Sequence, residues 1–328
     1  MWFEELVGFR EVGPEQVRAN LEVSGDRLTS KVNGASYGCG LLTTPTLSEL
    51  RAAASTEDAG SVGLREVVGN VQTLHLEPTN AGALFQAASQ FNLLEMVGPD
   101  VTPEAGVGIY GNDHTQGPAC AIACGAGTIV RNYFAPVRGG IGQTASRQID
   151  CLEDLGAALG NSDGSLWTMK NGYCLLSSEG LRTVGPRVDA LDEAGRDALQ
   201  SLLRVGVQSD VEVTLGGAGH HVSQVYGSAL PVAYGGGGPS QWEPFARLVL
   251  EASYEATLLV ARANADRSGN RTVFLTLLGG GVFGNPDPWI LDSIGRAVSR
   301  VSGAGLDVAI VSYGRSKPSV REFVGRSQ

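Results

Sequence analysis

The sequence predicts an α/β fold in which a parallel or mostly parallel sheet carries helices on both faces. Three observations predict it. From Val222 onward, strand-like and helix-like segments alternate, the order that joins parallel strands through helical crossovers. Val273, Phe274, Leu275, Leu277 and Leu278 form a near-continuous apolar run of strand length, as expected of a strand covered on both sides. That run stops at Gly279, Gly280 and Gly281, and a helical pattern begins near Trp289. Strand, glycine loop and helix is the layout in which open α/β sheets bind ligands beyond the carboxyl ends of their strands.

The elements follow in order. Leu6–Phe9, Leu28–Val32 and Tyr37–Leu42 read as short strands around the turn dipeptide Asn33-Gly34, and Ser48–Ala54 as a helix capped by Thr46 or Ser48. Val67–Leu76 alternates as a strand would, with Gly69-Asn70 inside it. A short buried strand follows around Ala83–Phe85. After a polar loop, Pro118 opens a helix expected to run to Tyr133, whose alanines and glycines are small enough to admit another backbone or a ligand. Residues 149–159 and 191–205 read as helices. Residues 166–176 read as strand and turn around Asn171-Gly172, and Val207–Leu215 as a strand. Then come a strand from Val222, a long helix over Trp242–Arg262, the glycine-loop strand, a helix from Pro288 to about Ser302 and a buried strand over Leu306–Tyr313. Residues 1–64 are expected to be an N-terminal extension packed on the core. Residues 65–328 are expected to be one α/β domain with an insertion at about 134–220.

Composition narrows the function. The 328 residues carry a net charge of −10, and Lys and Arg do not cluster with aromatics, which opposes general nucleic-acid binding. No run of 18 apolar residues and no leader-like N-terminus is present, so the expectation is a soluble, cytoplasmic protein with no membrane partner. Cys39, Cys120, Cys124, Cys151 and Cys174 are scattered without disulfide or zinc spacing, and small buried thiols are the expected role. No metal site is expected.

The chemistry-bearing residues fall in three places. Gly279, Gly280, Gly281, Val282, Phe283, Gly284 and Asn285 form a loop whose amides can converge on an anion, although neither the P-loop nor the dinucleotide fingerprint is present. Gln116, Gly117, Pro118, Ala119 and Cys120 form a helix start, a second anion seat at the positive end of the dipole. Asp113 and His114 lie in the densest polar cluster of the chain and are candidates for orienting or activating a water. Gln90 and Asn92 are side-chain amides in apolar surroundings, facing either backbone or ligand. Arg131, Arg138 and Arg147 could neutralise a diphosphate or be solvated charges. His220-His221 is expected at the surface or on a lid.

Several of these segments resemble the ADP-ribose-binding macrodomains. Gly69-Asn70-Val71 is similar to the family's first strand signature, with Asn70 in place of the usual acidic residue. Phe85–Asn92 occupies the place of its asparagine motif, Gly117–Gly127 that of the glycine-alanine helix, and Thr276–Gly284 that of the phosphate loop. The resemblance implies a three-layer α/β/α macrodomain-like mixed sheet, enlarged and divergent, with ADP-ribose or a related nucleotide as ligand and no required cofactor. It implies that Asn70 lies by the adenine, that Asn92 or Gln90 bonds the distal ribose, that Phe283 packs near that ribose, and that amides of Gly280–Phe283 and Gly117–Cys120 hold the diphosphate. The implied partner is a nucleotide-type small molecule or an ADP-ribosylated macromolecule. The implied activity is hydrolysis of ADP-ribosyl conjugates, with Asp113, His114 and Asn92 as the catalytic candidates, or binding without turnover. Outside the family, the competing expectation is an α/β transferase or hydrolase using a cysteine, which no Cys/His pair close in sequence supports.

Overall fold

The computed structural model of the chain describes residues 1–55 and 57–326. Its central sheet has strands β1 (Leu41–Thr43), β2 (Gly63–Val68), β3 (Leu84–Ala88), β4 (Gly206–Glu212), β5 (His221–Gly227), β6 (Thr272–Leu275) and β7 (Asp307–Ser312), in the spatial order β1-β4-β5-β3-β6-β7-β2. Neighbours from β5 to β2 are parallel, whereas β4 runs antiparallel to both β5 and β1. The sheet is therefore mixed, with its parallel part forming the middle and one side. One strand comes from the first 64 residues and one from residues 134–220, so both segments contribute to the sheet.

Side-chain alternation along β3 defines the layers. Phe85 points to one face, where its ring stacks on His75 at 3.7 Å and on Phe274 of β6 at 4.6 Å. Gln86 points to the other and donates to Thr257 Oγ1 at 2.8 Å. His75 belongs to the helix Val71–Leu76, which packs with the helix Gln116–Ala123, and Thr257 belongs to the helix Pro239–Ser268. Helices thus cover both faces, giving the three α/β/α layers. The long helix packs against the helix Asp287–Arg300 and starts at Pro239, where the missing N–H has no helical acceptor to lose. It stops at Gly269, whose φ of 77° suits a residue without Cβ. A second core joins the N-terminal helices Trp2–Val7 and Pro14–Asn20, through Phe3, Leu6 and Val17, to Ala126, Ile129 and Tyr133.

The strand over Val67–Leu76 is corrected. β2 ends at Val68, and Asn70 caps a helix by accepting from the Gln72 N–H at 2.9 Å. Gly69-Asn70 breaks the strand, and Val71 with His75 then shows helical rather than alternating spacing. Of the strand expected over Leu6–Phe9, Leu6 and Val7 belong to the helix Trp2–Val7, which is capped at Gly8 with φ 80°. The helix expected over 118–133 is two helices, Gln116–Ala123 and Gly125–Tyr133, that meet at Cys124. The expected close approach to its small residues is present: a Cβ on Gly125 would come within 2.8 Å of the Trp2 ring, and one on Gly127 within 2.9 Å of Val211. The hairpin Trp167–Lys170 with Tyr173–Leu176 turns at Asn171-Gly172, and Thr46 caps Leu47–Ala53, both as expected. Three helices went unread: Pro14–Asn20, Ser178–Asp189 and Pro318–Arg326.

Because Phe85 is fully buried between two aromatic partners, Phe85→Ala should lower stability by about 3–5 kcal/mol. Urea denaturation monitored by circular dichroism measures this; a loss under 1 kcal/mol would contradict the packing described.

Candidate functional site

Four adjacent parallel strands end at one place. Ala88 at the end of β3, Gly227 at the end of β5, Thr276 just after β6 and Ser312 at the end of β7 all line a cavity of about 340 Å³. This is where open α/β sheets bind ligands. The loop after β6 forms one wall with Gly279, Gly280, Gly281, Val282 and Phe283, and the start of the helix Gln116–Ala123 forms another with Gln116, Gly117 and Pro118. The two turns expected to share a crevice do share one.

The amides available there differ in part from the expectation. In the glycine loop, Gly280 N–H donates to Leu277 O, Gly284 N–H to Gly281 O and Asn285 N–H to Gly279 O, so these three are committed to the turn itself. Gly281, Val282 and Phe283 N–H groups have no acceptor among the described residues. Gly279 and Gly284 adopt φ of 70° and 74°, and the room at Gly279 is taken by Asn285 and Ala229, so the loop's shape depends on glycine there. At the helix start, Pro118 has no N–H and Ala119 N–H bonds Thr115 O, which leaves Gln116 and Gly117 as the first-turn donors.

One residue of this cavity escaped the sequence reading. Glu95 lines it while only 3% exposed. Its carboxyl lies against Gly117 so closely that a Cβ on that glycine would collide with Oε2 and with the Ala88 carbonyl. Its Oε1 has no hydrogen-bond partner, and its backbone N–H donates to Tyr110 Oη at 3.0 Å. Burial raises its pKa well above that of an ordinary carboxyl; the nearby Arg131 guanidinium pulls it down by less, and Asp113 adds to the rise. The result is a buried carboxylic acid facing an open cleft. Arg131 is itself fully buried, bonded to Leu93 O at 2.9 Å and Thr128 Oγ1 at 3.1 Å, with its guanidinium 3.6 Å over the Tyr226 ring.

The other predicted residues divide. Asp113 lines the cavity and accepts from Thr115 N–H at 2.8 Å. His114 is exposed and lies outside the lining. Gln90 lines the cavity, but its amide accepts from Met96 N–H at 2.9 Å and donates to Met96 O at 3.2 Å. Asn92 is fully buried behind the wall, where it donates to Gln148 Oε1 and accepts from Leu94 N–H, so both ends of its amide have protein partners. Asn70 is an exposed helix cap just past the end of β2 and is not among the lining residues. Ala119, Cys120, Gly284 and Asn285 support the two turns without lining it, and burial drives the Cys120 thiol well above its ordinary pKa. Among the three arginines, Arg131 is buried as described, Arg138 pairs with Glu153 at 3.1 Å and Arg147 bonds Ile141 O at 3.1 Å; none lines the cavity. The lining's cation is instead Lys317, which pairs with Asp287 at 3.4 Å. His220 and His221 are remote from it. All five cysteines are unpaired and buried. Among the described residues no cluster of three or more His, Cys, Asp or Glu is placed to hold a metal ion, and no helix is long and apolar enough to cross a membrane.

The class of fold is a three-layer, macrodomain-like α/β/α mixed sheet. The chain is similar in fold to the poly(ADP-ribose) glycohydrolase of Thermomonospora curvata, at 12% identity and a TM-score of 0.50, with 96% of each chain covered. The poly(ADP-ribose) glycohydrolase of Deinococcus radiodurans, solved in complex with ADP-ribose, aligns at 11% identity and a TM-score of 0.46 over 88% of this chain and 95% of that one. No family model and no curated protein matches the sequence.

Two predictions follow from Glu95 and Gly117. A carboxyl whose folded pKa is raised stabilises the fold most below its unfolded pKa, near 4.5, and that contribution is lost as pH rises toward the folded pKa. Relative to Glu95→Gln, the wild-type protein should therefore lose stability as pH rises above about 5, by at most about 1.4 kcal/mol per pH unit. Parallel melting curves of the two proteins test this, and curves that stay parallel across that range would contradict it. Gly117→Ala should destabilise by about 1–3 kcal/mol, because the added methyl must push back a carbonyl or the carboxyl; an unchanged urea midpoint would contradict the contact.

Proposed function

We propose that the chain binds ADP-ribose in this cleft and hydrolyses ADP-ribosyl conjugates, with Glu95 as the general acid. The observation that carries the reading is Glu95 itself, a buried carboxyl whose pKa desolvation raises, in a cavity also lined by two turns with unpartnered amides. The similarity of fold to glycohydrolases that act on poly(ADP-ribose) supports the choice of ligand.

In this reading the diphosphate lies between Gly281–Phe283 and the helix start at Gln116-Gly117, held by N–H groups, the helix dipole and Lys317. Amides suit the task because the protein's overall negative charge gives an anion no help at long range. The distal ribose then reaches Glu95. Its acid proton passes to the leaving atom as the glycosidic bond breaks, and a water forms the new bond at the anomeric carbon. Asp113, the second carboxyl of the lining, is the group we assign to orient that water. The Glu95 carboxylate left behind recovers its proton from solvent. The reading calls on no cofactor. We take residues 65–328 as the catalytic domain and residues 1–64 and 134–220 as its elaborations.

One observation favours the second reading, a binder without turnover: the Asn92 amide, expected to orient the distal ribose, is satisfied by protein on both ends.

Calorimetry with ADP-ribose and chromatography of an ADP-ribosylated peptide separate the readings. Hydrolysis by the wild-type protein is expected, with kcat lowered about 10²–10⁴-fold in Glu95→Gln while ADP-ribose affinity changes only a few-fold. Binding without release of ADP-ribose by the wild type would establish the binder; release undiminished in Glu95→Gln would remove Glu95 as the acid.

A further inference from the structure

Both carboxyl-bearing residues of the cleft are tied to one tyrosine. The Glu95 N–H donates to Tyr110 Oη at 3.0 Å, and the Asp113 N–H donates to Tyr110 O at 3.1 Å. Tyr110 is fully buried and does not line the cavity. Its hydroxyl fixes the backbone that carries one carboxyl, and its carbonyl fixes the backbone that carries the other. A shift of Tyr110 would displace the two together.

Tyr110 has little local structure to hold it. It lies in the short 3-10 turn Gly108–Asn112, and between β3 and the helix Gln116–Ala123 the chain forms only this turn and another at Pro103–Ala105. Single turns of this kind are weak by themselves. The anchor comes from the N-terminal segment. Glu11 Oε1 accepts from the Val107 N–H at 3.0 Å and from Tyr133 Oη at 2.7 Å, and its Oε2 accepts from the Gly108 N–H at 2.7 Å. Such bonds to a carboxylate are roughly twice as strong as bonds between neutral groups. Gly106, with φ 86°, and Gly108 leave it room: a Cβ on either would come within 2.5 or 2.7 Å of Oε2. The neighbours of the acid share the same anchorage. Leu94 and Met96 are buried in the second core with Tyr110, Val107 and the helix Trp2–Val7, which also packs on the turn. Residues 1–11 thus reach Glu95 by two routes, apolar and hydrogen-bonded, and none of them lines the cavity.

We infer that Glu11 and Tyr110 are positioning residues, through which the N-terminal segment sets the placement of Glu95 and Asp113 relative to each other. The inference rests on the hydrolytic reading above. Proton donation to the leaving atom and attack by an oriented water must occur on one bound substrate, so both carboxyls have to be in place at once. A misplacement of about 1 Å costs on the order of 10²-fold in rate. Neither Glu11 nor Tyr110 lines the site, so their loss should act on turnover and leave ligand binding alone.

The experiment uses the full chain, an ADP-ribosylated peptide as substrate and three variants. Tyr110→Phe removes only the hydroxyl and leaves the Glu95 N–H without its acceptor. Glu11→Gln turns an NH2 group toward an N–H that the carboxylate now accepts. We expect kcat to fall about 10- to 100-fold in Tyr110→Phe and about 3- to 10-fold in Glu11→Gln, with KM and calorimetric ADP-ribose affinity within about threefold of wild type. A loosened Glu95 backbone admits water to the carboxyl and lowers its pKa. The alkaline limb of kcat, where the acid loses its proton, should therefore move to lower pH by about one unit in both variants. The ionisable groups whose fields reach Glu95 include Asp113, Arg131, Cys120, Tyr173 and Tyr226, and both variants retain them. Burial raises the Tyr110 pKa, so Tyr110→Phe removes no charge, and a shared shift is not the field of Glu11. Val17→Ala opens a cavity in the same second core and should lower the urea midpoint with kcat and the limb unchanged. Unchanged kcat and limb in both Tyr110→Phe and Glu11→Gln, a loss confined to KM and ADP-ribose affinity, or the same kinetic changes in Val17→Ala would overturn the inference. If Tyr110→Phe does not fold, Glu11→Gln decides alone. A wild-type protein that binds ADP-ribose and releases none from the peptide would instead overturn the hydrolytic reading beneath it.

Discussion

Most of this molecule's chemistry depends on one close approach, between the end of β3 and the start of the helix Gln116–Ala123. At Gly117 the helix backbone lies against the Ala88 carbonyl with no space for a methyl group, and the Glu95 carboxyl fills the remaining side. That contact brings a helix N-terminus to the carboxyl ends of the parallel strands. It also removes water from Glu95, so the carboxyl stays protonated where an exposed one would ionise. A larger residue at 117 would move the helix dipole and the acid together. The helix start and the Glu95 carboxyl are mechanically coupled.

A polar network beneath the cavity keeps that helix in place. Gln224 of β5 donates to the Cys120 carbonyl at 2.8 Å and meets His75 Nε2 at 3.0 Å, while Tyr226 donates to Gln224. His75 and Tyr226 are fully buried, and desolvation lowers the His75 pKa to about 4, so the imidazole is neutral at ordinary pH. Arg131 is a buried cation over the Tyr226 ring. Its field opposes the rise in the Glu95 pKa, but desolvation of the buried carboxyl is the larger effect.

Much of the sheet was legible because its signals are local. The run Val273–Leu278 before three glycines marks both a covered strand and the loop that ends it at the cavity, and the helix start beside Pro118 needs only neighbouring residues to recognise. The division at Val71 was not legible: six residues between a strand end and a loop fit either period, and Asn70 as a cap becomes decisive only once the strand is known to stop. The residues around Asn92 illustrate a second limit. An amide in an apolar stretch can satisfy itself on protein or on ligand, and only its distant partners, Gln148 here, distinguish the two. Glu95 was missed for the same reason. Within Leu93–Val97 it is a lone carboxylate in an apolar run, and the groups that define it, Tyr110, Gly117 and Arg131, are brought to it by the fold.

The most direct measurement is a crystal structure of the protein soaked with ADP-ribose. The account predicts the diphosphate between the Gly281–Phe283 amides and the N–H groups of Gln116 and Gly117, with the distal ribose against Glu95. Density for the nucleotide elsewhere on the molecule, or a diphosphate turned away from both amide sets, would contradict it.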